Sequence, residues 1–414
     1  MLKRCVITGL GVVAPNGIGK EKFWESIKNG NTGIKKISHY DTSHFHVRAA
    51  GAITDFNPTD FFSQETVYAT VRFSQFAMVA TKLGIKDANI RLKDLNSARV
   101  GVSMGTTTGG IEFMLDQHSM YLQEKSFENV HPFVFSKTVL NAGSSMVAIM
   151  AQARGPCSTF CSACAASADA IGFGLNSIRR GETDVMLVGG SDASIHPLIM
   201  EVCYNGGMIS KKVQNGEIKV PQPFDKQRDG TVIGEGAAIL VLEELEHAKN
   251  RGANIYAELV GYSSTCDAHH MVKILASGEE QARAILLALE DANIKPEEIG
   301  YINAHGTGTV SNDKIETQVI KSVFAEHASK IPISSTKSMT GHLFGAGAAI
   351  EAAICVLALH HGVLPPTINY ETPDPECDLD YIPNTARKQA IRYALSNSFG
   401  FGGENSVLIF KKYE

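Results

Sequence analysis

Short β-rich runs that end in glycine and hand over to apolar helical stretches recur along the whole chain, and this alternation restricts it to an α/β fold. Strand candidates start at Cys5, Arg99, Asp184, Ala237, Tyr301 and Ser406. The apolar spacing predicts helices over 164–180, 243–251, 279–292 and 345–361. In helix 279–292, Ala282, Ile285, Leu286 and Leu289 are expected on the buried face, with Glu290, Asp291 and Lys295 at its polar end. Gly9-Leu-Gly11 imitates a dinucleotide-binding turn. Pro15-Asn16-Gly17 blocks the helix that such a turn must open, so a plain turn is expected.

One internal echo bears on organisation. Val100-Gly-Val-Ser-Met-Gly-Thr-Thr resembles Ile299-Gly-Tyr-Ile-Asn-Ala-His-Gly-Thr, each a β-run ending at Gly-Thr. Two related halves are expected, 1–252 and 253–414, fused without a low-complexity linker.

Composition narrows the function. With 414 residues, a net charge of −5 and a pI near 6.3, wholesale binding to nucleic acid or to an anionic membrane is not expected. The best apolar run, Ala348 to Leu359, is about a dozen residues long and carries Glu351. It reads as a buried helix and not as a membrane span. Met1-Leu2-Lys3-Arg4 leads straight into a strand, so no secretory leader and a cytoplasmic location are expected. The eight cysteines mostly sit in apolar segments, which suits reduced, buried thiols.

Cys164 falls at the start of a helix whose apolar positions are Ala168, Ile171, Gly172, Leu175 and Ile178, with Gly181 placed to end it. Unpaired N–H groups and the positive end of the helix dipole are expected to lower the thiol pKa there, from about 8.5. Cys157-x₃-Cys161-x₂-Cys164 also has the spacing of a radical iron–sulfur motif. The apolar helix that follows at once argues against a cluster, and Cys157 and Cys161 are read as inert.

Two histidines stand on Gly-rich segments further on, in Asn303-Ala-His305-Gly-Thr307-Gly-Thr309 and Lys337-Ser-Met-Thr-Gly-His342. The glycines let a ligand approach the backbone closely. Asp313 and Glu316 are expected to pair with Lys337. The run Ser396 to Asn405 reads as a hairpin turn. Its Phe399 and Phe401 border the pocket, and a backbone N–H there is placed to meet an oxyanion.

These segments resemble the β-ketoacyl-acyl-carrier-protein synthases, closest to type II, within the thiolase-fold condensing enzymes. The resemblance runs essentially end to end and also takes in Pro223-Phe-Asp-Lys-Gln-Arg-Asp-Gly and Pro365-Pro-Thr-Ile-Asn-Tyr. It implies a duplicated, five-layered αβαβα thiolase fold and a homodimer, or a heterodimer with a chain-length-factor-like subunit. It implies a Cys164–His305–His342 site supported by Lys337 and Glu316, and an oxyanion hole from the N–H groups of Cys164 and Phe401. Thr307 and Thr309 would hold the phosphopantetheine arm. Thr108, Cys203, Phe399 and Phe401 would line or gate the acyl pocket. No metal or organic cofactor is expected, since acyl carrier protein delivers both substrates on its phosphopantetheine.

The chain departs from the family at the pocket. Thr108 stands where an isoleucine is usual, Cys203 where a phenylalanine is usual, and Gly207 and Tyr68-Ala69 where basic residues are usual. The resemblance therefore leaves open fatty-acid elongation, the catalytic subunit of a type II polyketide or polyene synthase, and a non-catalytic partner subunit. The presence of Cys164 weighs against the last.

Overall fold

The computed structural model describes residues 2–211 and 221–414, with the short strands Val213–Gln214 and Glu217–Ile218 between them. Ten main strands form the framework. The first five are β1 (Cys5–Ala14), β2 (Val100–Gly105), β3 (Cys157–Phe160), β4 (Val185–Asp192) and β5 (Gly236–Glu244). The second five are β6 (Ala257–Cys266), β7 (Ile299–Asn303), β8 (Ile333–Ser334), β9 (Tyr393–Phe399) and β10 (Glu404–Lys412). The spatial order is β3-β2-β4-β5-β1 in one set and β8-β7-β9-β10-β6 in the other, the same winding twice. The parallel and antiparallel pairings match as well. The two sets meet where Cys5–Ile7 pairs with Ala257–Leu259. Strands β2 and β7, which carry the internal echo, occupy the same place in each winding.

Alternation along the strands builds the layers. Met186, Val188, Leu240 and Leu242 point to one apolar cluster, and their neighbours Val185, Leu187, Ile239 and Val241 to a second. Leu408 and Phe410 join the first cluster, whereas Val407 and Ile409 join a third. The shared central cluster holds two helices, α3 (Ala166–Arg179) and α6 (Gly347–His361). The second is filled by α1 (Arg72–Asp87) and α2 (Ala142–Ala151), and the third by α4 (Glu279–Ala292) and α5 (Val310–Phe324). This is a five-layered αβαβα sandwich. Strands covered on both faces read as unbroken apolar runs for that reason.

Several local expectations are corrected. Helix α4 buries Gln281, Ala284, Ile285, Ala288 and Leu289, while Leu286 is exposed: the face turns by one position toward the sheet. Gly9 and Gly11 lie inside β1, where a Cβ would strike the backbone of Gly84 and Ala80 in α1, so they serve helix–sheet contact. Phe344–His361 is 18 residues long and apolar on average, the length of a marginal span, but 89% of that stretch is buried inside the protein. Cys157, Cys161 and Cys266 are exposed, so burial is not the rule for the thiols. At Gly181 (φ 70°), Gly181 and Glu182 donate their N–H groups to Ile178 and Ser177 and close α3 as anticipated.

Candidate active site

Strand β3 ends beside Ser162, and the chain makes a single 3-10 turn, Ala163–Ala165, before α3 begins at Ala166. Cys164 thus precedes the α-helix proper instead of opening it. Ala163 holds φ at 45°, a left-handed value that costs a non-glycine residue on the order of 1–3 kcal/mol. Its carbonyl accepts a hydrogen bond from Thr107 Oγ1 at 3.0 Å. Thr107 and Thr108 in turn donate their backbone N–H groups to the buried carboxylate of Asp192, at the end of β4.

His305 follows β7 and is held through its backbone. Glu316, on α5, accepts the N–H of His305 and that of Gly306, each at 2.8 Å, and the Asn397 side chain at 3.1 Å. Asp313 accepts the N–H groups of Phe224 and Gly308. Neither carboxylate pairs with Lys337, contrary to expectation. Lys337 instead bonds Glu351, which α6 projects into the same buried region, and donates to His305 Nδ1 at 3.4 Å. Both carboxylates of α5 are occupied by loop N–H groups and by the Asn312 and Asn397 side chains. His342 is fixed by backbone bonds to Val232 and Gly234, and its Nδ1 accepts the Phe344 N–H at 3.1 Å.

The donor atoms of Cys164, His305 and His342 lie within 4.8 Å of one another, and the two imidazoles stand edge-to-face at 5.6 Å between centroids. Both Nδ1 atoms accept: one from a backbone N–H, the other from an ammonium that has only protons to offer. Each neutral ring therefore carries its proton on Nε2. Burial, with the Lys337 charge second, holds His342 down at about 3 and His305 well below its usual value, so both stay neutral. Ligating a metal through Nε2 would move those protons to Nδ1, against the Phe344 N–H and the Lys337 ammonium. The arrangement suits hydrogen-bond donation to an oxygen and does not suit metal ligation.

Cys164 corrects a second expectation. Burial pushes its thiol up to about 11, opposed by the Lys337 charge and by the Phe401 N–H directed at it. Desolvation outweighs the Lys337 charge and the Phe401 N–H together. The thiol is neutral at rest.

A cavity of about 440 Å³ opens onto these three side chains. Thr307, Thr309, Phe399 and Phe401 border it, as expected. Phe399 is buried against His305 at 5.8 Å between centroids, and Phe401 is 41% exposed in the turn joining β9 and β10. Gly400 presses on the nucleophile's backbone: a Cβ there would lie 3.2 Å from the Cys164 nitrogen. Thr108 and Cys203 do not border this cavity. Thr108 is bound to Asp192 and Ser194, and Cys203 packs against the cluster that contains Met200, Ile209 and Phe344.

The profile of the β-ketoacyl synthase N-terminal domain matches residues 2–248, and that of the C-terminal domain matches residues 256–371. The chain belongs to the β-ketoacyl synthase family. This β-ketoacyl synthase is 43% identical to the 3-oxoacyl-[acyl-carrier-protein] synthase 2 of Synechocystis sp., covering 100% of this chain and 99% of that one. It is 41% identical to a putative polyketide β-ketoacyl synthase 1 of Streptomyces halstedii, over 99% and 98% of the two chains. Among solved structures it is similar to the ishigamide ketosynthase/chain length factor, with a TM-score of 0.94, 36% identity and full coverage of both chains.

Glu351 is the residue of this β-ketoacyl synthase that sequence reasoning passed over. A lone carboxylate in an apolar helix needs a buried cation, and that requirement was the available signal. Asp192 and its threonine loop had no comparable mark.

Proposed function

We propose that this β-ketoacyl synthase extends an acyl chain by two carbons through decarboxylative Claisen condensation, with both substrates delivered on the phosphopantetheine of acyl carrier protein. The observation that carries the reading is the pair of neutral imidazoles, each with Nδ1 occupied and Nε2–H left to donate, around one sulfur.

Cys164 attacks the acyl thioester, and its proton ends on the departing pantetheine thiolate. The N–H groups of Cys164 and Phe401 hold the tetrahedral oxyanion. Malonyl carrier protein then loses CO₂. The electron pair released becomes an enolate, whose oxygen takes hydrogen bonds from Nε2–H of His305 and His342. The enolate carbon attacks the acyl-Cys164 carbonyl, expels the Cys164 sulfur and leaves a β-ketoacyl carrier protein. Lys337 fixes the tautomer of His305, Glu316 fixes its backbone, Thr307 and Thr309 border the arm, and Phe399 and Phe401 gate the acyl group. No step calls for a resident cofactor.

A second subunit of the same fold is part of this reading. Strand β3 is the outer strand of its sheet among the described residues, and Phe133, Phe135 and Ile149 are exposed large apolar residues of this half. Fatty-acid elongation predicts a self-sufficient homodimer. The likeness to a ketosynthase/chain length factor structure supports the alternative, a heterodimeric polyketide or polyene ketosynthase.

The test mixes the purified chain with a medium-chain acyl carrier protein and malonyl carrier protein, and follows intact mass. Acylated Cys164 and a product two carbons longer support the self-sufficient enzyme. Acylation without product favours the heterodimer. No acylation by any thioester defeats the mechanism.

A further inference from the structure

Asn312 is 3% exposed and borders the cavity that reaches Cys164. Its Nδ2 donates to Asp313 Oδ1 at 3.1 Å and to Glu316 Oε2 at 3.5 Å. Two carboxylates accept only, so they dictate which end of the amide faces them. The Oδ1 is left facing elsewhere, and it is buried without a hydrogen-bond partner. A buried acceptor in that state destabilises the fold until something donates to it. The hydroxyls of Thr307 and Thr309 on the same wall lie 2.9 Å apart and already bond each other. A ligand entering here therefore gains most by bringing an N–H donor to Asn312.

The substrate arm carries such donors. Pantetheine contains two secondary amides between its phosphate end and its sulfur. We propose that Asn312 is a binding residue for the arm, its Oδ1 accepting one pantetheine amide N–H as the thioester reaches Cys164. This rests on the proposed condensing function and adds a recognition element to it. The same two carboxylates that orient Asn312 hold His305-Gly306 and Gly308, so the arm's register and the catalytic backbone share one support.

The experiment uses the whole chain and free S-acyl pantetheine, and reads Cys164 acylation by intact mass. Two further substrates each replace one amide N–H by an ester oxygen, a change that removes a donor and little else. One of the two analogues should acylate wild-type Cys164 about tenfold less efficiently, with the loss in KM. In Asn312→Ala, the parent amide substrate should fall to that level and the ester analogue should lose nothing more. Equal performance of all three substrates in the wild type overturns the proposal, and so does an ester penalty that persists undiminished in Asn312→Ala. Iodoacetamide labelling of Cys164 checks that the variant's site is intact. The wild-type comparison stands even if Asn312→Ala does not fold. Failure of the parent amide substrate to acylate the wild type would strike at the condensing function itself, and is thereby distinguished from failure of Asn312.

Discussion

His342 accepts the backbone N–H of Phe344, two residues further along, on its Nδ1 at 3.1 Å. That single bond fixes the tautomer and leaves Nε2–H as a donor. Replacing His342 by Ala should remove one of two enolate donors and slow condensation by about 10²–10³-fold, the usual worth of an oxyanion donor. Transfer of the acyl group to Cys164 should persist. Intact mass resolves the two steps: a variant that stalls at acyl-Cys164 fits, and one that never acylates does not.

Lys337 and Glu351 are both almost fully buried. Lys337→Met strands the carboxylate and should cost about 3–5 kcal/mol of stability, whereas the double variant Lys337→Met/Glu351→Gln should recover most of it. Urea unfolding measures both. Equal destabilisation of the single and double variants would show that the pair is not the origin of the loss.

The Cys164 thiol, held up at about 11, is a thiol and not a thiolate throughout the neutral range. Its alkylation by iodoacetamide should therefore climb about tenfold per pH unit from 7 to 10. A plateau below pH 9 would mean that the turn's N–H groups prevail over burial after all.

Gly400 leaves room for the Cys164 nitrogen, which a Cβ would approach to 3.2 Å, and for the Ser162 carbonyl at 3.1 Å. Gly400→Ala should push that N–H away from any oxyanion and lower acylation by tenfold or more, in line with about 1.4 kcal/mol of lost stabilisation. The thermal midpoint should move little. A large fall in the midpoint with normal acylation would contradict this.

Glu112 tests the fold apart from the chemistry. Both of its carboxylate oxygens are buried without partners, and burial raises it to about 8. Between its ordinary value near 4.5 and 8, the folded state holds a proton that the unfolded state has lost, so stability declines as pH rises across that window. Glu112→Gln should abolish the decline, giving a higher denaturation midpoint than wild type at pH 8.5 and little difference at pH 4.5.

Much of this architecture was legible beforehand because its strands are covered on both faces and read as plain apolar runs. The Val100 and Ile299 segments announced the duplication. Strand β8, two residues long, has no periodicity to read, and its place is set by pairing with Ile302 and Asn303. Cys164, His305 and His342 stood out because glycine and helix starts marked them. The supports did not. Asp313 and Glu316 are near the histidine in sequence, which invited pairing with Lys337, but they serve backbone N–H groups, a use that leaves no trace in side-chain patterns. The resting protonation of Cys164 depends on how much water the fold expels, which local spacing does not encode.

Ala163 and Phe344 have nearly the same left-handed backbone, φ 45° and 48°, each opening a 3-10 turn ahead of a central helix. The second position of that turn is Cys164 in one half and Gly345 in the other, so the duplicated scaffold repeats the socket and not its contents. A Cβ at Gly345 would press on the Thr107 nitrogen and Asp192, so that socket is closed to a second nucleophile. The two repeats divide the site between them: one supplies Cys164 and the other supplies His305 and His342. A chain severed between the repeats is therefore expected to lose the joint site until its fragments meet again along the seam where Cys5–Ile7 pairs with Ala257–Leu259.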